Sequence, residues 1–246
     1  MKVNDWVHLV GSGYAGFQLT DEYDCNVYLI NGGSGMALVD TGAGLDPDAI
    51  LAEVRKDGLD PAAIRSILLT HAHADHAGGA SALAGKLGAT IYALPDAVRF
   101  GAGPDLEAIS LAPAIQAGTY PEDYRFRAFA AETVNEGDVI AVGGLSVRVI
   151  ETPGHSDGHA GFLLEAEGRK LLFAGDLVFG GGRISLLATW DSRLNRYAES
   201  IGKVNELRID GLFPGHAAFL LRDAWRHVAE AAHRFERLEV PRNYNG

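Results

Sequence analysis

The run Thr70-His71-Ala72-His73-Ala74-Asp75-His76-Ala77-Gly78-Gly79 constrains this chain more than any other stretch. An apolar segment, Ile67-Leu68-Leu69, stops there and delivers three histidines and a carboxylate within six residues, just before a Gly-Gly pair and an alanine-rich segment. Alternate residues of an extended chain point the same way, whereas positions i and i+2 of a helix do not share a face. His71 and His73 could therefore grip one ion from a strand end. Asp75 and His76 are adjacent, and in a turn leading to the next element they can face a second ion that the first pair does not reach. The stretch alone fits one ion or two. A polar loop with chance histidines is the alternative, and it loses weight once the aspartate and the third histidine are counted.

Composition narrows the chemistry. A chain of 246 residues, 47% hydrophobic and 22% charged, can bury a sizeable core, and a single α/β domain over 1–246 is expected. The net charge of −11 argues against a nucleic-acid partner, whose phosphates select a basic face. Cys25 is the only cysteine, so an intrachain disulfide and a thiolate metal cluster are both excluded, and any metal must be held by histidine and carboxylate. Asp5 stands where a signal peptide would place its apolar core, and no apolar stretch is long enough to cross a bilayer. A cytoplasmic protein acting on a small molecule, with no nucleic-acid or membrane partner, is the expectation; oligomeric state leaves no mark in the sequence.

Periodicity orders the elements. Short runs at Val7–Val10, Phe17–Thr20, Asn26–Ile30 and Met36–Val39 predict a β meander ending at Asp40-Thr41-Gly42. Ile50, Leu51 and Val54 after a candidate Asp46 cap predict a short amphipathic helix, followed by a buried strand at Ser66–Leu69. That βαβ unit would carry the histidine run at the carboxyl end of its last strand, where open α/β sheets place ligands. Helix is expected over Ala80–Leu87 and strand over Thr90–Ala93. Periodicity then fails from Gly101 to Ala131, where Tyr120, Tyr124, Phe126 and Phe129 are interspersed with Gly, Pro and charge. A lid or pocket wall is one reading of 101–131, and a helical hairpin using Leu106, Ile109 and Leu111 is the other. Two strands follow within Val139–Ile150, then a hairpin of Gly161–Glu165 with Lys170–Ala174, a helix over Ser192–Leu207, a short strand at Gly211–Phe213 and a final amphipathic helix over Arg222–Leu238. His155, Asp176 and His216 each stand just past an apolar run and beside glycine, where loops gather at one end of a sheet.

The run at 70–79 resembles the HxHxDH motif of the metallo-β-lactamase superfamily, most closely its glyoxalase II-like and lactonase-like hydrolases. The resemblance implies an α/β fold, an αββα sandwich of two mixed sheets flanked by helices. It also implies a dinuclear site in which His71, His73 and His155 hold one metal, Asp75, His76 and His216 hold the other, and Asp176 bridges them. Asp40 and His159 match supporting positions behind the metals; the lesser reading of Asp40 alone is an aspartate that opens a turn before glycine. Nitrogen and oxygen donors suit zinc, iron and manganese alike, and two zinc ions are the expected cofactor. The implied reaction is attack by a metal-bridging hydroxide on a small carboxylic ester, lactone or thioester, with Asp75 holding the nucleophile and receiving its proton. The zinc β-lactamases lack a bridging aspartate at the position of Asp176, which turns the expectation away from antibiotics. Arg183, in the Gly-rich segment after Asp176, and Tyr120 and Tyr124 are the candidate substrate contacts. A mononuclear iron persulfide dioxygenase and a metal-binding protein without turnover are the competing classes.

Overall fold

The computed structural model describes residues 1–103, 106–107 and 109–244. Alternating and fully apolar runs become two sheets. The first has six strands in sequence order, β1 (Val7–Gly11), β2 (Val27–Asn31), β3 (Met36–Val39), β4 (Ile64–Leu68), β5 (Thr90–Ala93) and β6 (Glu132–Thr133). The β1–β2 and β2–β3 pairs are antiparallel, and β3 to β6 run parallel to one another. Parallel neighbours need crossovers. Helix α1 (Pro47–Lys56) links β3 to β4, while α2 (Ala74–Ala77) and α3 (Ala80–Leu87) link β4 to β5. The α1 boundary follows from its ends: the Asp46 side chain accepts from the Ala49 amide, Pro47 opens the first turn, and Arg55 and Lys56 close the last. Its buried face is Ile50, Leu51 and Val54, as the periodicity predicts.

After β5 come α4 (Pro95–Ala102) and α5 (Leu111–Gln116), and then the second sheet. It is built from β7 (Val139–Val142), β8 (Leu145–Glu151), β9 (Ala160–Ala166) and β10 (Arg169–Gly175), followed beyond α6 (Leu194–Leu207) by β11 (Gly211–Pro214); helix α7 (Ala224–Glu236) ends the regular structure. The β9–β10 hairpin turns at Glu167-Gly168, with φ of 49° and 75°, the double positive φ that matches a tight hairpin to strand twist. The β10–β11 pair is parallel and the rest antiparallel, so both sheets are mixed.

Three apolar layers result. Between the sheets lie Leu9, Tyr28, Val39, Phe162, Phe173 and Phe213 among others. Tyr28, Phe173 and Phe213 meet with ring centroids 5.0–5.6 Å apart, so truncating any one to alanine is expected to cost about 3–5 kcal/mol. The outer face of the first sheet packs under α1, α3 and α4, and that of the second under α6 and α7. Parallel β3 and β4 end at the same edge of the sandwich as parallel β10 and β11. The residues just past all four ends converge there.

Two expectations change. Phe17–Thr20 is a turn rather than a strand, because Ser12 captures it: the Ser12 hydroxyl accepts from the Phe17 amide at 2.6 Å and its carbonyl accepts from Leu19 at 2.7 Å and Thr20 at 3.1 Å. With the Gln18 amide donating to the Gly13 carbonyl at 3.1 Å, all four amides are taken and cannot join a ladder. Among the described residues of 101–131, α4 ends at Ala102 and α5 is the one further helix; Leu106 and Ile109 precede α5 rather than line it, so these residues form no helical hairpin. Tyr120, Tyr124, Phe126 and Phe129 are buried against the outer layer of the first sheet. Pro104, Asp105 and Ala108 of that stretch lie outside the described residues.

Candidate metal centre

The strand ends fix the donors one by one. Asp40, just past β3, adopts φ of 62°, and this turns its carboxylate under the histidine run. One oxygen accepts from the Thr70 amide at 2.8 Å. The other meets the Thr70 hydroxyl and His76 Nδ1, each at 2.8 Å. Because the only proton on the Thr70 hydroxyl goes to Asp40, His71 Nδ1, at 3.0 Å from that hydroxyl, must be the donor there. His76 Nδ1 likewise donates to a carboxylate, and His155 Nδ1 donates to the Ser185 carbonyl at 2.7 Å. The rings of His71 and His155 therefore turn an unprotonated Nε2 into the cluster, while His76 turns its Nε2 between the carboxylates of Asp75 and Asp176, 3.6 Å and 3.5 Å away.

His73 approaches from the opposite side, its Nδ1 2.9 Å from His155 Nε2 and its Nε2 3.8 Å from the buried Asp191 carboxylate. Asp176, just past β10, lies at the centre. One oxygen is 3.5 Å from His76 Nε2, and the other is 3.7 Å from His155 Nε2 and 3.4 Å from His216 Nε2. His216 also stands 3.1 Å from Asp75. Its loop is stapled to the first sheet by Asn26, whose side chain donates to the carbonyls of Pro214 and Ala217, and by the Tyr28 hydroxyl on Pro214.

Two glycines are required by this packing. A Cβ on Gly175, at φ 47°, would fall 2.7 Å from His159 Nε2, and one on Gly215 would fall 2.4 Å from Asp176 Oδ1. His159 stands behind the centre, accepting from the Asp176 amide at 3.1 Å while its Nδ1 meets the Thr152 hydroxyl at 2.9 Å.

The electrostatics are those of buried carboxylates and histidines that compensate one another. Burial alone would raise the carboxyls of Asp75 and Asp176, yet the surrounding histidines, His76 and His216 foremost, hold both below the usual carboxylate range. Burial lowers His71 and its histidine neighbours add to that; His155 is pushed down to about 4 by burial and His73, against the pull of Asp176. His76 goes the other way, because the charges of Asp75, Asp176 and Asp40 outweigh its burial and raise it to about 9. Nε2 of His71, His73 and His76, Oδ1 of Asp176 and Nδ1 of His216 are buried without any hydrogen-bond partner. Such orphaned donors and acceptors are costly unless something satisfies them. Three donor groups fit an ion: His71, His73 and His155; His71, His76 and Asp176; and Asp75, His76 and His216, with ligand atoms within 4.8 Å of one another in each. Cys25 forms a further group with Asp40 and His76, but His76 Nδ1 is already engaged by Asp40, and burial pushes the thiol up and keeps it protonated.

The sequence candidates thus separate. His71, His73, Asp75, His76, His155, Asp176 and His216 come together at one end of the molecule, with Asp40 and His159 directly behind. A cavity of about 590 Å³ opens onto them. Tyr120 lines it and donates to Asp75 at 3.0 Å; burial and the Asp75 charge keep this hydroxyl protonated. Tyr124 and Arg183 do not line it. The Tyr124 hydroxyl is bonded to the Ala43 carbonyl at 2.7 Å, and Arg183 Nε is bonded to the Gly180 carbonyl at 3.0 Å. Sequence reasoning passes over Thr70, which orients His71 and secures Asp40, although it opens the run itself. It also passes over Asp191 and the Ser185 carbonyl; a backbone carbonyl has no residue type to betray it.

The Metallo-beta-lactamase superfamily profile matches residues 20–216. The chain belongs to that superfamily. Within it, the chain is similar to a hydroxyacylglutathione hydrolase of Anaeromyxobacter dehalogenans, with 37% identity over 78% of this chain and 61% of that protein. A lactamase-like protein nscB of Aspergillus fumigatus is 32% identical over 79% of this chain and 48% of its own length. An atrochrysone carboxyl ACP thioesterase of the same fungus is 30% identical over 80% and 38%. The chain thus spans between about two-fifths and three-fifths of the length of these superfamily relatives. A metallo-beta-lactamase of Cronobacter sakazakii superposes with a TM-score of 0.74 over 97% of this chain and 96% of that one at 20% identity, which shows the fold. A metallo-beta-lactamase family protein of Thermus thermophilus does so with a TM-score of 0.74 at 27% identity over 96% and 82%. Two mixed sheets flanked by helices are thus the superfamily's fold. Among the described residues, no helix is long and apolar enough to cross a membrane.

Proposed function

We propose that this chain is a metal-dependent hydrolase of a small carboxylic ester, lactone or thioester. The observation that carries the reading is the place of Asp176, within 3.4–3.7 Å of histidine nitrogens from both halves of the donor set. His71, His73 and His155 would hold one divalent cation, Asp75, His76 and His216 a second, and Asp176 would touch both; zinc is the expected element. Bound there, the cations would supply a water acidic enough to lose its proton near neutral pH and positive charge facing a substrate carbonyl. The names of the relatives, a hydroxyacylglutathione hydrolase and an ACP thioesterase, support hydrolysis as the reaction class.

The chain's own residues divide the remaining work. Asp40, through Thr70 and His76, fixes ring orientation, so that Nδ1 of His71 and of His76 is engaged behind the cluster and Nε2 is the atom left to face an ion. Asp75 is the carboxylate placed to hold and accept a proton, and Tyr120, protonated and bonded to it, orients that carboxylate and can donate toward a leaving oxygen. The surrounding apolar wall excludes water from the reacting carbonyl. Metal analysis of the purified protein, followed on the same sample by a panel of carboxylic esters, lactones and thioesters, tests the reading. Two metals per chain with hydrolysis of at least one class are expected. One iron per chain with oxygen uptake on a persulfide would replace the reading with a dioxygenase, and metal without any turnover would replace it with a binding role.

A further inference from the structure

The cavity above the donor cluster is chemically one-sided. Its acidic lining consists of Glu22, Asp24, Asp75 and Asp176; the basic side chains that border it are the donor-cluster histidines His73, His155 and His216, and among the described residues no lysine or arginine does. Away from the donor cluster its lining is largely apolar and aromatic, with Ile109, Leu111, Pro113, Leu187, Tyr14 and Tyr23. The whole chain adds to this bias, with 32 acidic against 21 basic residues. An anion lodged away from the histidines of the floor gives up its hydration with no lysine or arginine in return and meets carboxylates of its own sign.

The guanidinium that might have answered an anion is otherwise engaged. Arg183 is held at Nε by the Gly180 carbonyl, and its head lies 5.4 Å from the centre of the Tyr244 ring. Tyr244 is the residue that borders the cavity. It is fixed from several sides: its amide donates to the Ile184 carbonyl at 2.7 Å, its hydroxyl to the Ala15 carbonyl at 3.1 Å, and its ring stacks on Phe179 at 4.6 Å, 17° from parallel.

Building on the hydrolase reading, we propose that the cavity takes esters or lactones whose group beyond the reacting bond is an uncharged alkyl or aryl chain and disfavours those carrying a carboxylate there, and that Tyr244 sets this selection by engaging Arg183 and presenting its own ring to the cavity. The cations in the floor would favour an anion at the reacting end itself, so the selection concerns only the part of the substrate that reaches the outer wall.

The test uses phenyl heptanoate and monophenyl pimelate, which share a leaving group and differ by a terminal methyl or carboxylate. Their kcat/KM ratio is read for the metal-loaded protein, for Tyr244→Phe, for Tyr244→Ala and for Tyr244→Ala combined with Arg183→Ala. A ratio is unmoved by incomplete metal loading. The wild type is expected to favour the neutral ester by about tenfold or more, a difference of about 1.4 kcal/mol. Tyr244→Phe should keep that ratio, Tyr244→Ala should narrow it by about threefold or more, and the double variant should restore it. A wild-type ratio near one, or one favouring the carboxylate, overturns the proposal, and an unchanged ratio in Tyr244→Ala overturns the part assigned to Tyr244. Calorimetric binding of the two matching anilides provides an arm without turnover. If neither ester is cleaved and the panel of esters, lactones and thioesters is silent as well, the hydrolase reading fails, while tighter binding of the neutral anilide upholds the selectivity and equal binding refutes it.

Discussion

Asp176 and Asp24 are both buried carboxylates, each 4% exposed, and both border the same cavity, yet the protein treats their charges in opposite ways. At the floor, histidines His216, His76 and His155 surround Asp176 and hold its carboxyl well below the usual range against the effect of burial. At the wall, burial dominates and raises Asp24 to about 6, although the Thr20 hydroxyl and the Ala43 amide both donate to it. The tyrosines divide the same way. Tyr120 turns its hydroxyl to the charged floor, while Tyr124, 5.0 Å away by ring centroid, turns its hydroxyl to a backbone carbonyl. The floor is thus an arrangement of mutually compensated charges. The wall is an arrangement of desolvation, suited to uncharged groups.

If the floor works as a unit, its central member should be the hardest to lose. Asp176→Ala removes the one carboxylate near histidines of both halves, and the metal content should fall from two per chain to one or fewer, with hydrolysis reduced roughly a thousandfold or more. Full metal content and full activity in that variant would dissolve the distinction between floor and wall. Asp40→Asn is milder. Asparagine tolerates the positive φ of 62° at this position, so the backbone should hold. Its amide, however, cannot accept from Thr70 and His76 together as the carboxylate does. A loss of about 10–100-fold in metal affinity, measured by competition with a chelator, is expected. Tyr120→Phe should leave the metal content alone and lower kcat by about tenfold, the worth of one hydrogen bond to a charged group. A matching fall in metal content would instead make Tyr120 part of the floor.

The same contrast explains what the sequence discloses. Metal donors must be particular residue types, and strands must deliver them from their ends, so His71 to His76, His155, Asp176 and His216 can be read from spacing and neighbours, as can the βαβ unit that carries the run. Wall residues are chosen for shape and desolvation, which many residue types provide. Tyr244 joins the cavity through a backbone pairing with Ile184, far earlier in the chain, and no local pattern encodes that pairing. Arg183 misleads for the converse reason. Its charge and its glycine-rich surroundings suggest an anion contact, while its guanidinium lies over a tyrosine ring. Phe17–Thr20 alternates like a strand, yet a single serine at position 12 bends it by hydrogen bonds that hydrophobic periodicity cannot register.

The smallest effect expected is the most specific to the wall. A carboxyl whose folded-state pKa is raised binds its proton more tightly in the native state than in the unfolded chain, so its contribution to stability falls as pH rises between the two values. For Asp24 those values are 3.8 unfolded and about 6 folded. Below pH 4 both states are protonated and the group is neutral to the balance. Above pH 6 both are ionised and the native state bears the full cost of a buried charge, about 3 kcal/mol at 1.36 kcal/mol per unit. Asp24→Asn removes the ionisation and preserves the contacts, since the asparagine oxygen can accept from the Ala43 amide while its amide donates to the Thr20 hydroxyl. Denaturant unfolding of the two proteins from pH 4 to pH 7 isolates the group, because every other titration cancels in the difference. The variant should gain on the wild type steadily across that window. A flat difference would mean that Asp24 is compensated like Asp176, and that floor and wall follow one electrostatic rule.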